Sequence, residues 1–214
     1  MWWIRIPHKS RPNFMENVFR SLWTWSTYPI FIIDNLNWKE IMLPLKEATH
    51  DKHKEAERMP FNVAMFKGEL TKEQYAKYLL SQLEIFSAIE ENFQMPHEGL
   101  KRKYAVIEDL KSLDFHQLEI VDNATLKYAS YLKGLTQEEV NAHIYLNYLA
   151  IMFGGQMMKA NTPGAGNMYE FENMMECAGA VRAIQKDEWA DEVNKGFDFM
   201  IEIFKELEKC LITN

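Results

Sequence analysis

His53 stands in a run of good helix formers, residues 45–57, that contains neither Gly nor Pro. At a period of 3.6 residues, Leu45, Ala48, Thr49, His53 and Ala56 share one side of that helix, so the imidazole points inward. An inward imidazole needs a partner, either a buried hydrogen-bonding group or a metal ion. About a hundred residues later, Gly154 and Gly155 interrupt a second strong helical run in the stretch Phe-Gly-Gly-Gln-Met-Met. Each glycine inside a helix costs about 1 kcal/mol relative to alanine. The pair therefore has a purpose: another helix packs very close, or the backbone kinks and lies against a flat ligand. The same run carries the polar aromatics His143, Tyr145 and Tyr148, and methionines at 152, 157 and 158 that give it adaptable packing.

The elements that must position these residues read as helices throughout. After residues 45–57 comes a short apolar piece, 61–66, ended by Lys67-Gly68-Glu69. Thr71-Lys-Glu-Gln74 is a capping-box start, and its helix runs to about residue 93 with Tyr75, Leu79, Leu83, Phe86 and Ile89 inward. A third helix over 100–113 is expected to bury Leu100, Tyr104, Ile107 and Leu110. Asp122 or Asn123 caps another that runs to 132 and closes at Gly134. Thr136-Gln-Glu-Glu139 opens the long helix that ends near 159. Residues 161–166, Asn-Thr-Pro-Gly-Ala-Gly, form the clearest loop. Helices over 169–185 and 187–212 come next, the last amphipathic on Val193, Phe197, Met200, Ile201, Phe204 and Leu211. No segment alternates with period two, so the fold class is all-α, a multihelical single domain over 42–214.

The chain has 214 residues, enough for one full hydrophobic core. Its 24 Lys and Arg against 31 Asp and Glu give a net charge of −7, which argues against nucleic acid as a partner. Two cysteines, Cys177 and Cys210, make no disulfide framework, so the cytoplasm or another reducing compartment is expected. No run reaches the length of a transmembrane helix. Residues 1–41 differ from the rest: they hold five of the six tryptophans, three prolines and a charge of +2. Scattered basic residues and the lack of a cleavage site disfavour a signal peptide. An aromatic extension, an organelle-targeting segment and translated sequence ahead of a start at Met42 all remain as readings.

With those residues in place, the chain resembles the haem oxygenases. Leu45-Lys-Glu-Ala-Thr…His53-Lys-Glu-Ala-Glu57 is similar to their proximal helix. Ala142-His-Ile-Tyr145…Tyr148-Leu…Gly154-Gly-Gln156 is similar to their distal helix, and shorter matches continue in order over about residues 43–210. The resemblance implies haem as both cofactor and substrate, its iron held by His53 and sandwiched between the proximal helix and a kinked distal one. Glu57 would orient the imidazole, Gly154 and Gly155 would form the distal wall, and Lys46, Tyr145 and Arg182 would hold the propionate edge. The implied reaction is oxidative cleavage of haem to biliverdin, carbon monoxide and ferrous iron. It draws electrons from a donor such as ferredoxin or a reductase. A monomer is expected, and His143 reads as structural.

The resemblance also shows where this chain departs from the family. The aspartate that organises water beside the haem is replaced by Ile151, and no Asp or Glu lies between Val140 and Lys159. Ala150 replaces a family glycine and Phe153 a small polar residue. Phe86, Asn147 and Met200 replace a tyrosine, an arginine and an asparagine, while His50 and Ala178 replace basic residues at the propionate edge. These changes keep a second reading open, a non-catalytic or catalytically altered haem-binding protein on the same fold. A third is a di-iron oxidase of this fold. Glu47-Ala-Thr-His50 supplies one Glu-x-x-His pair, but no second pair occurs at matching spacing.

Overall fold

The computed structural model describes residues 44–114 and 121–211; the extension expected over 1–41 and its boundary lie outside them. Among the described residues every regular element is helical and no strand forms. None of these helices is long and apolar enough to cross a membrane.

The first expected helix is two. Helix α1 (Leu45–Ala48) and α2 (His50–Glu57) are separated at Thr49, whose φ is −107° and ψ 0°. The Thr49 hydroxyl donates back to the Leu45 carbonyl at 2.8 Å, and Asn194 Nδ2 donates to the Ala48 carbonyl at 3.2 Å. The Leu45 carbonyl thus accepts both the Thr49 N–H and the Thr49 hydroxyl, and the Ala48 carbonyl accepts a neighbouring amide, at the point where the helix breaks. Leu45, Thr49 and Ala56 are buried on the expected side. Helix α3 (Pro60–Lys67) starts on a proline and ends at Gly68, where φ of +71° selects glycine.

Helix α4 (Lys72–Glu90) opens on the Thr71–Gln74 capping box, both reciprocal bonds present, and stops three residues short of the expected end. Helix α5 (Lys103–Ser112) is phased differently from expectation: Tyr104 is 76% exposed, and Val106 and Asp109 are buried. The reason is Asp109, whose carboxylate accepts the backbone N–H of Asn167 and of Met168, each at 2.8 Å. Helix α6 (Asn123–Lys133) is capped by Asp122, which accepts from Thr125 N at 2.8 Å. Gly134 comes after it in right-handed backbone (φ −88°), so no left-handed glycine cap closes this helix.

The long helix also departs from a single regular rod. Helix α7 (Gln137–Leu149) has the expected Thr136–Glu139 capping box. It widens into a π turn, Ala150–Gly154, before α8 (Gly155–Met158) and a 3-10 turn, Lys159–Asn161. Helix α9 (Met174–Ile184) starts five residues later than expected, after the short turn Asn167–Tyr169 that Asp109 caps. Helix α10 (Ala190–Glu208) buries Val193, Phe197, Ile201 and Phe204 and packs against α2, α3, α6 and α7. It is the post on which both the His53 helix and the Gly-Gly helix rest.

Candidate functional site

On α2, His53 and Glu57 are one turn apart, with His53 Nδ1 3.3 Å from Glu57 Oε1. His53 is partly covered (its side chain 26% exposed), and its ring meets Phe197 of α10 edge-on at 5.7 Å. Burial, helped by His50, pulls the imidazole pKa down to about 4, so it is neutral near pH 7. Burial pushes the Glu57 carboxyl up to about 7 against the pull of Lys54 and Arg58. Glu57 Oε1 is buried and lies close to the ring without completing a well-aligned hydrogen bond. The arrangement presents a neutral nitrogen ligand with a carboxyl beside its other nitrogen.

The two glycines at the end of the π turn, Gly154 within it and Gly155 opening α8, do different things. A Cβ on Gly155 would fall 2.1 Å from the Tyr169 ring, so Gly155 admits an aromatic wedge from the turn that Asp109 caps. A Cβ on Gly154 would meet nothing within 4 Å, although the residue is only half-exposed. Gly155 is thus closely packed, by a ring from a short turn rather than by another helix, and Gly154 leaves an open backbone face. Ile151 and Met152, in the same turn, are buried.

Of the residues expected at one edge, Tyr145 feels both Arg182 and Asp187, and Asp187 meets the start of α1. Asp187 Oδ1 accepts the Leu45 N–H at 2.7 Å, next to the exposed Lys46. Tyr145 on α7 has its pKa raised by burial, with Arg182 pulling it down and Asp187 pushing it up, so all three lie within electrostatic reach. The Arg182 guanidinium is exposed and sits 5.5 Å from the centroid of Phe153 in the π turn. Ala178, also on α9, is buried, and His50 is exposed. Among the described residues no group of three or more His, Cys, Asp and Glu side chains converges as a metal site.

A buried polar chain behind the distal helix is not foreseen by the sequence. Tyr128 on α6 bonds His143 Nδ1 at 2.8 Å, and His143 Nε2 bonds Glu192 Oε1 of α10 at 2.9 Å. Asn147 Nδ2 donates to Tyr128 Oη at 2.9 Å and to the His143 carbonyl at 2.8 Å. Tyr131 also donates to Glu192, and Lys195 donates to Tyr131 at 2.7 Å. On the other flank Tyr148 donates to Glu90 at 3.0 Å, and that carboxylate also accepts the N–H groups of Arg102 and Lys103 at the start of α5. The one available signal is Tyr128 on the inward stripe of α6 four residues before Leu132, since a buried phenol needs a partner.

Known proteins share this fold. The Heme oxygenase family model matches residues 39–195. Haem oxygenase 1 of Bos taurus is 27% identical, over 78% of this chain and 71% of its own length. Haem oxygenase 2 of Mus musculus is 26% identical over 78% of this chain, which spans 65% of that relative. The haem oxygenase of Rhodella violacea is 25% identical over 80% of this chain and 88% of its own. Among solved structures, haem oxygenase-1 of Synechocystis sp. in complex with haem superposes with a TM-score of 0.70 at 24% identity, covering 78% of this chain and 92% of that one. The chain belongs to the haem oxygenase family.

Proposed function

We propose that this chain binds haem and cleaves it oxidatively to biliverdin, carbon monoxide and ferrous iron. The observation that carries the reading is the pair on α2: a neutral, partly buried His53 imidazole with the buried Glu57 carboxyl 3.3 Å from its Nδ1. The remaining residues fit a flat, apolar, dianionic group. Gly154 leaves an open backbone face, Ile151 and Phe153 are apolar, and Arg182 supplies an exposed cation next to Phe153.

In this reading haem supplies the iron at which oxygen is reduced and is itself the substrate. His53 would hold the iron through Nε2, and Glu57, whose Oε1 lies 3.3 Å from Nδ1, would accept the Nδ1 proton once aligned and keep the ring in that tautomer. Gly154 lets the distal backbone approach the ring face, and Gly155 fixes the height of that backbone on Tyr169. Arg182, Lys46 and the Tyr145 hydroxyl take the propionate edge. Electrons come from an external donor, a reductase or a ferredoxin, and the working unit is a monomer. The apolar Ile151 in the place of the family's acid favours a second reading, haem binding without ring opening.

Haem titration of wild type and His53→Ala, with reductant then added in air, tests both. The expected result is a tight complex with a strong Soret band in wild type, its loss in His53→Ala, and appearance of biliverdin absorbance in wild type. A wild-type complex that takes up electrons and oxygen without biliverdin selects the binding protein. Tight non-haem iron with no Soret band overturns both readings.

A further inference from the structure

The imidazole that would hold haem iron sits on a broken helix, and the break is held from outside that helix. We propose that Asn194 of α10 is a positioning residue for His53: its amide N–H group pins the break at Thr49 and so fixes the direction from which α2 presents the ring. This rests on the reading in which His53 holds the haem iron, and it adds the residue that sets the ligand's seat.

Residues 45–57 give no local reason for a break, since they are good helix formers without Gly or Pro. In the structure the helical ladder stops with the Thr49 N–H on the Leu45 carbonyl at 3.1 Å. It resumes with the His53 N–H on the Thr49 carbonyl at 3.0 Å. Between the two, the Ala48 carbonyl turns to Asn194 Nδ2 at 3.2 Å. A carbonyl only accepts, so the atom facing it is the amide nitrogen, and Asn194 Oδ1 is left buried without a partner. A buried oxygen left unmet is costly, and a leucine of similar shape would avoid that cost. The asparagine is therefore explained by the bond that its nitrogen makes.

Its place on α10 connects that bond to the imidazole. Asn194, Phe197 and Asp198 lie on one face of α10, at the three- and four-residue spacings of a helix. They meet the proximal segment at successive points: Asn194 at the Ala48 carbonyl, Phe197 edge-on to the His53 ring at 5.7 Å, and Asp198 Oδ1 at Lys52 Nζ, 2.6 Å away. The start of α1 is fixed separately, where Asp187 Oδ1 accepts the Leu45 N–H at 2.7 Å. The segment is thus attached on both sides of its break, and Asn194 is the attachment at the break itself. The Lys52–Asp198 pair is largely exposed, so water and salt weaken it. The half-buried amide is the firmer tether.

The test loads the full chain with haem and reads the iron–imidazole stretching band of the ferrous complex by resonance Raman. Haem affinity and urea unfolding of the haem-free protein are measured beside it. Asn194→Leu keeps the shape and loses the donor, so the band should shift and broaden. The haem dissociation constant should rise roughly two- to ten-fold, the range set by one net hydrogen bond. Asn194→Gln keeps an amide donor one methylene further out and should lie nearer to wild type in both readings. Reduced stability of Asn194→Leu with an unmoved band would make the residue merely structural and overturn the proposal, as would no change in either. If Asn194→Leu does not fold, Asn194→Asp, of the same shape and without the N–H, decides by the same readings. A wild-type complex with no iron–imidazole band removes His53 as the ligand, and this proposal with it. Failure of wild type to form biliverdin removes the cleavage reading alone, because the band needs only bound haem.

Discussion

Two adjacent glycines with opposite surroundings make the residue scale testable. Gly155→Ala forces a methyl group into the Tyr169 ring, and overpacking of this kind costs about 1–3 kcal/mol. Gly154→Ala meets no atom and has helical backbone (φ −66°), so the apo protein should be unchanged or up to about 1 kcal/mol more stable. Haem affinity should move the other way, falling in Gly154→Ala because the methyl group stands on the open face. Urea unfolding and haem titration on the two variants measure both, and equal behaviour would end the division of labour. His53 is legible in sequence because its neighbours at i−4 and i+3 are small or apolar and a carboxylate stands one turn on. The separate tasks of the glycines are not legible, because Tyr169 arrives from a turn fourteen residues away that no helical period connects to Gly155.

At the scale of elements, Asp109 shows how a packing pattern can mislead. Tyr104, Ile107 and Leu110 recur at helical spacing and suggest a buried stripe, yet the helix turns a carboxylate inward and leaves Tyr104 outside. The gain is local: two backbone N–H groups of the turn Asn167–Tyr169 have no partner inside that turn and find one on α5. Burial nevertheless raises the Asp109 pKa against the lowering effect of those two bonds. Asp109→Ala should cost roughly 1–3 kcal/mol for each donor left unmet. It should also weaken haem binding without touching the site, since Tyr169 loses its seat under Gly155. A chemical-denaturation midpoint close to wild type would show that the cap is dispensable. The break at Thr49 escapes the sequence for a related reason. It depends on a side-chain hydroxyl and a distant amide that leave helix propensity almost unchanged.

For the molecule as a whole, His143 ties α6, α7 and α10 together and makes their packing pH-sensitive. Burial lowers its pKa below the ordinary value of 6.5, and Glu192 offsets only part of that. Glu192 itself is pushed up by burial but held below its usual range by Tyr131 and His143. Between the folded pKa and 6.5 the unfolded chain binds a proton that the folded one refuses. Its contribution to stability is therefore complete above 6.5 and declines as the pH falls toward the folded value. Unfolding free energies of the haem-free protein at pH 7.5, 6 and 5 should decrease in that order. His143→Gln should be less stable at pH 7.5 and show a shallower decline, and an equal slope would assign the acid sensitivity elsewhere.

The π turn has one more consequence, for chain length. Five residues, Ala150–Gly154, occupy a turn that a regular helix closes with one fewer. The distal helix therefore carries a spare residue, and here alone in it a deletion could leave both flanks facing as they do now. Removing a residue from α7 would rotate Asn147 or its partners by about 100° relative to the later turns of the helix. Removing one from the π turn would keep Asn147 toward Tyr128 and Gly155 toward Tyr169, because the wide turn closes to a regular one of nearly the same pitch. The length of this helix is thus adjustable at one turn, independently of side-chain identity, without turning either flank away from its neighbours.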